Sequence, residues 1–156
     1  MENINARITL KSFKWLPSLS HETLCFTAKV LIDGKVVGTA ENAGHGGCTF
    51  VHVETSKVPR DLDGIDLETI VDELAYAEVD RKEVDKAVRR VLKDMKDKVV
   101  FLKPGESLKQ GWRIWRIGAV VNSYFTHQTV QQVLAKYPAA TILNSKTEDE
   151  IRGMLA

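Results

Sequence analysis

The residues of this 156-residue chain whose types and spacing could do chemistry crowd into Asn42-Ala43-Gly44-His45-Gly46-Gly47-Cys48-Thr49. A thiol, an imidazole, a hydroxyl and an amide surround three glycines, and His52 follows four residues after Cys48. Glycines let other groups approach the main chain, and successive N–H groups around them can form an anion-binding hollow. The segment lacks the Lys-Ser/Thr ending of a phosphate-binding loop, and a strand rather than a helix is expected after it. It therefore reads either as a bulge or wide turn that twists a sheet, or as a ligand or partner contact. The candidate contact residues are Asn42, Gly44, His45, Gly46, Gly47, Cys48 and Thr49.

Two stronger chemistries are open to the same residues. His45-x-x-Cys48-x-x-x-His52 has the donors of a zinc site, but a structural site needs four ligands. Only Cys25, His21 and His127 could complete it, and there is no Cys-x-x-Cys pair, so no metal and no cofactor are expected. A Cys48 thiolate beside glycine N–H groups could act as a nucleophile with His45 or His52 as base, giving a small hydrolase or nuclease. That arrangement needs Cys48 and His52 on one strand face, which follows only if the strand starts at Cys48. The paired carboxylates of residues 61–80 have no glycine-rich or metal-binding companion and are assigned no role.

A second candidate is Trp112-Arg113-Ile114-Trp115-Arg116. Indole faces stack on bases and guanidinium groups pair with phosphates, so Trp112, Arg113, Trp115 and Arg116 could bind an anionic ligand. The alternative sends Trp112 and Ile114 into the core, with the arginines reaching out to solvent. A third is the basic stripe Lys82, Lys86, Arg89 and Lys93, opposite the apolar face of a helix. It runs ~16 Å along the axis and reads either as a phosphate-tracking face or as a solvated helix back.

The charge is unevenly spread. Net charge is +1, yet residues 61–80 hold eight acids and no Lys or Arg, while residues 81–116 hold twelve Lys/Arg against five acids. The two blocks could satisfy each other within a helical hairpin or between subunits of a homo-oligomer. Apolar content of 44% and charged content of 28% suit an ordinary globular protein. No apolar run approaches a membrane span, and the N-terminus lacks the pattern of a signal peptide. With two cysteines, both expected to be reduced, the expectation is a cytoplasmic protein with no membrane partner.

These candidates need elements to position them. Residues 6–13 alternate as a strand. In Thr23 to Ile32, Leu24, Phe26, Ala28, Val30 and Ile32 share one face by period two. Asp33-Gly34 predicts a tight hairpin to a return strand from Lys35. A fourth strand is expected over Cys48 to Val53. Ile65, Leu67, Ile70, Val71 and Leu74 predict one helix. Asp80 with Glu83 reads as the capping box of a second, with Val84, Ala87, Val88, Val91, Leu92 and Met95 as its stripe. Lys98 to Leu102 and Trp112 to Val121 read as strands, and Thr126 to Tyr137 as a helix. Ala140 to Asn144 reads as a short strand, and Thr147 with Glu150 caps a last helix.

The expected fold is α+β: an antiparallel N-terminal sheet packed on a central helical pair, followed by strand-strand-helix-strand-helix. The expected extent is a single domain over 1–156, with the sheet in 6–53, helices in about 65–97 and a mixed C-terminal part in 98–156.

Leu19-Ser20-His21-Glu22-Thr23, Asp33-Gly34-Lys35, the glycine-rich segment from Asn42 to Cys48, and Ile142-Leu143-Asn144 occur in this order along most of the chain. In this the chain resembles a family of small phage- and prophage-borne proteins of unassigned function. The resemblance carries no catalytic residues. It implies the setting of a mobile element, in the cytoplasm of a bacterial host, where counter-defence proteins are common. The sequence thus favours a non-enzymatic binding protein that blocks or sequesters a host component by protein-protein contact, anchored by aromatics such as Trp15, Trp112 or Trp115. The alternatives are a nucleotide- or nucleic-acid-binding protein, and the His45/Cys48/His52 hydrolase or nuclease.

Overall fold

The computed structural model describes residues 4–118 and 121–156. The chain is α+β and gathers into two compact units, Met1–Arg81 and Lys82–Ala156.

In the first unit, β1 (Ile8–Trp15), β2 (Cys25–Ile32), β3 (Lys35–Ala43) and β4 (Phe50–Val53) form an antiparallel sheet in the order β1-β2-β3-β4. The expected period-two face is the buried one: Phe26, Ala28, Val30 and Ile32 are all interior. Asp33 and Gly34 close the β2–β3 hairpin at φ 48° and 76°, the positive values that a two-residue turn demands. Arg7 grips this turn, its Nε and Nη2 donating to the two oxygens of Asp33, and its Nη1 also reaches Asp61. The buried face packs on Val71 and Ala75 of α1 (Leu67–Asp94) and on Leu62.

The expected central helical pair is a single 28-residue helix. No glycine or proline falls within Leu67–Asp94, so nothing in the covalent chain breaks it. Asp80 with Glu83 has the spacing of a capping box, but it sits where the neighbouring N–H groups already have helical partners. Arg81 donates to Glu78 across the expected break, at 2.6 and 3.0 Å. The side chain that caps the helix is Asp66, whose Oδ1 accepts from the Thr69 N–H at 3.0 Å. That bond, together with the Thr69 hydroxyl, holds the Asp66 carboxyl below its ordinary pKa.

The second unit holds the later turns of α1, then β5 (Lys98–Leu102), β6 (Arg113–Arg116), α2 (Ser123–Lys136), β7 (Thr141–Ile142) and α3 (Glu148–Leu155). Its antiparallel sheet has the order β6-β5-β7. The unbroken apolar run of β5 is buried on both faces. Val100 and Leu102 meet Val88, Val91, Leu108, Leu143 and Ile151, while Val99 and Phe101 meet Ile117 and Val133. Thr147 and Glu150 make the expected capping box on α3.

Asn144 continues the work of the short β7 with its side chain. Its Oδ1 accepts from the Val100 N–H at 2.7 Å, and its Nδ2 donates to the Lys98 carbonyl at 2.8 Å. A side-chain amide therefore supplies the ladder bonds that another strand residue would give. Asn144→Ala leaves the buried Val100 N–H without its acceptor. It should cost about 1–3 kcal/mol in chemical denaturation, whereas Asn144→Asp keeps that acceptor and loses the Nδ2 bonds to the Lys98 and Met95 carbonyls. Equal stability of Asn144→Ala and wild type would contradict this role.

Candidate functional site

Asn42 organises the glycine-rich segment. Its side chain is buried at the end of β3, and all four of its hydrogen-bonding positions are filled. Oδ1 accepts from the Gly44 N–H and the Thr23 hydroxyl, both at 2.9 Å. Nδ2 donates to the Gly47 carbonyl at 3.1 Å and to Thr49 Oγ1 at 3.2 Å. The Thr49 hydroxyl in turn donates to Asp72 Oδ1 on α1 at 2.7 Å. The loop is thus closed on one amide and tied to the helix.

Gly44 is required by this closure. Its φ is 83°, and a Cβ there would lie 2.2 Å from the Leu19 carbonyl oxygen. Its own carbonyl accepts from the N–H groups of both His21 and Glu22. Gly46 and Gly47 form an exposed tip, and the His45 ring stacks on His21 with centroids 5.5 Å apart.

Cys48 is exposed and lies before the strand, since β4 begins at Phe50. The shared strand face required for Cys48 and His52 is therefore lost. His52 lies on β4, on the solvent side of the sheet, and no hydrogen bond joins Cys48 to His45 or His52 among the described residues. No group of three or more His, Cys, Asp or Glu side chains able to hold a metal occurs among the described residues.

The tryptophan-arginine segment is split between tasks. Trp112 Nε1 donates to Asp94 Oδ2 at 3.0 Å, and the Arg90 guanidinium lies over the indole, 5.5 Å from its centroid. This indole bond, and then Lys98, hold the Asp94 carboxyl below the usual range against the opposing effect of burial. Arg113 is committed to Glu106, with Nη2 at 2.7 Å from Oε1. The pairing raises the Arg113 pKa and lowers that of Glu106. Trp115 is half-buried beside α2, with Lys136 Nζ 5.7 Å from its ring centroid. Arg116 is exposed on β6. Ile114 does not enter the core; it remains 50% exposed.

One hollow joins two of the candidates. A cleft of about 280 Å³ brings Lys86 of the basic stripe to Trp112, together with Arg90, Lys109 and Glu83. Ala87, Leu108 and Leu155 give it an apolar wall. Lys86 and Arg90 stand four apart on α1, a like-charge spacing that costs a helix a few tenths of a kcal/mol. Trp112 fixes Arg90 at this lip. Of the remaining stripe, Lys82 and Lys93 do not line the cleft, and Arg89 Nε donates to the Asp85 carbonyl at 3.2 Å. Sequence reasoning missed Arg90, one position beyond the stripe, and Lys109, in a short turn over Leu108–Gln110. The i, i+4 relation of Lys86 to Arg90 was the available signal for the first.

No family model, curated protein or solved structure matches the chain.

Two measurements follow from this geometry. Asn42→Ala strands several buried partners and should lower unfolding free energy by about 2–4 kcal/mol, while Cys48→Ser at the exposed position should change it by less than about 0.5 kcal/mol. A reversed order would refute the structural role of Asn42. A lowered carboxyl pKa contributes stability that is present above the unfolded value and lost as pH falls through the folded one. Denaturation midpoints should therefore fall below about pH 4, and Trp112→Phe should flatten that acid limb. An unchanged acid limb would show that the indole does not stabilise the Asp94 carboxylate.

Proposed function

We propose that the chain is a non-enzymatic binding protein for a phosphate-bearing ligand of nucleotide size, held in the cleft between α1, Trp112 and Lys109. The observation that supports this reading is the meeting of Lys86, Arg90 and Lys109 with a single carboxylate, Glu83, beside an apolar wall. Three cations and one acid line the cleft, and with Asp94 also acting on Arg90 the balance still favours an anionic group; lysine and arginine both donate charge-assisted hydrogen bonds to phosphate oxygens. The apolar wall suits a sugar or base edge. A volume of about 280 Å³ lies just below the usual range of ligand pockets, which suits a group no larger than a single nucleotide.

Trp112 serves here as a support. One indole contact goes to Arg90 and the N–H goes to Asp94, so the ring orients a cation in place of stacking on a base. A protein that blocks a host component by protein-protein contact would take three tryptophans as its anchors. Trp15 donates to Ser20, Trp112 to Asp94, and half-buried Trp115 packs against the core of the second unit, so each is engaged within the fold. That leaves the anionic ligand better supported. In the setting of a mobile element, retention without turnover would amount to sequestration.

Titration calorimetry with ADP and with inorganic pyrophosphate at low ionic strength tests the reading. Binding should weaken as salt rises, and Lys86→Glu or Lys109→Glu should weaken it about tenfold or more. Absence of binding to either probe, or undiminished affinity in both variants, would overturn it.

A further inference from the structure

The solvent face of the first sheet carries a charge pattern that the turn and the cleft do not use. Register places Lys11 opposite Lys29, Lys29 opposite Thr39, and Thr39 opposite His52, so these four form one rung. The next rung is Lys14, Thr27, Glu41 and Phe50. All eight are exposed, and Phe50 is 54% exposed. The alternating residues on the other side of the same strands fill the core, so this face is read directly from the pleat.

Directly opposed like charges destabilise an antiparallel pair. Lys11 against Lys29 is such a pair, and Lys14 stands on the next rung of the same face, opposite Thr27. None of the three lysines forms an ion pair among the described residues. Lysines on an edge strand such as β1 discourage unwanted strand pairing. That accounts for Lys11 and Lys14 and not for Lys29, which lies on an interior strand. The single acid on these two rungs is Glu41. An anionic polymer laid across the strands would relieve the repulsion, and Phe50 offers an uncovered ring beside it.

We infer that this open sheet face binds single-stranded nucleic acid, with Lys11, Lys14 and Lys29 on its phosphates and Phe50 stacked on a base. Charge complementarity favours a phosphate backbone, and the exposed aromatic favours unpaired bases over a duplex, whose bases are stacked on one another. This face belongs to the first unit and is independent of the proposed cleft, whose residues all follow Arg81.

Fluorescence anisotropy of the full chain with a labelled oligothymidine of about fifteen nucleotides tests the inference. Binding is expected at low salt, with log affinity falling against log salt at a slope of about −2, as three phosphate contacts to a single strand require. Lys29→Glu should weaken it about tenfold, and Phe50→Ala about fivefold or more. Lys57→Glu, an equal charge change at an exposed residue off this face, should leave it within about twofold. Circular dichroism checks each fold, and Lys29→Gln replaces Lys29→Glu if the latter does not fold. Absence of binding, wild-type affinity of the Lys29 variant or of Phe50→Ala, a stronger preference for duplex of equal length, or displacement by polyglutamate as readily as by unlabelled oligothymidine would each overturn the inference.

Discussion

An asparagine side chain has two N–H donors and a carbonyl oxygen with two lone pairs, and at Asn42 every one of these is used within the fold. The chain between β3 and β4 cannot continue a ladder, because it must reverse over Gly44 to Thr49. Buried main-chain groups in such a loop need partners, and Asn42 provides them from inside the turn. Through Thr49 and Asp72 the same network fastens the sheet to α1. Asn144 does similar work in the second unit, where its amide stands in for a strand residue beside β5. Two side-chain amides thus complete two sheets at points where the backbone leaves off.

This constraint commits part of the candidate turn to the fold. The glycine-rich segment holds the most reactive residue types in the chain, yet its amide, its buried hydroxyl and Gly44 are occupied in holding the loop shut. Charge is exposed elsewhere in the chain at two like-charge pairs. Lys86 beside Arg90 in the cleft and Lys11 against Lys29 on the sheet both set like charges at spacings that the local structure alone disfavours. Breaks of a local rule are expected at functional sites, and these two are the ground for both binding proposals.

Elements whose signal is local were legible in the sequence. Asp33-Gly34, the alternation through β2 and the Thr147–Glu150 cap each depend on residues within a few positions, and each is found as read. The division of α1 failed because a capping pattern has the same spacing as residues inside a helix, and only tertiary context separates them. Ile114 was misplaced for a related reason: alternation states which residues share a face, not which face is inside. The cleft joins positions 83–90, 108–112 and 155, and no periodicity links those segments. The sheet's basic face was overlooked because a period-two reading follows the apolar residues and passes over the polar ones between them.

The proposed anion site depends most on Arg90, which lies over the Trp112 indole at the lip of the cleft. Backbone and indole resonances in a two-dimensional nitrogen-proton NMR titration with pyrophosphate test it most directly. The account predicts saturable shifts at the Lys86, Arg90 and Lys109 amides and at the Trp112 indole N–H, with the Asn42 and Gly44 amides still. Shifts confined to the glycine-rich turn, or no saturable shift at any of these positions, would contradict it.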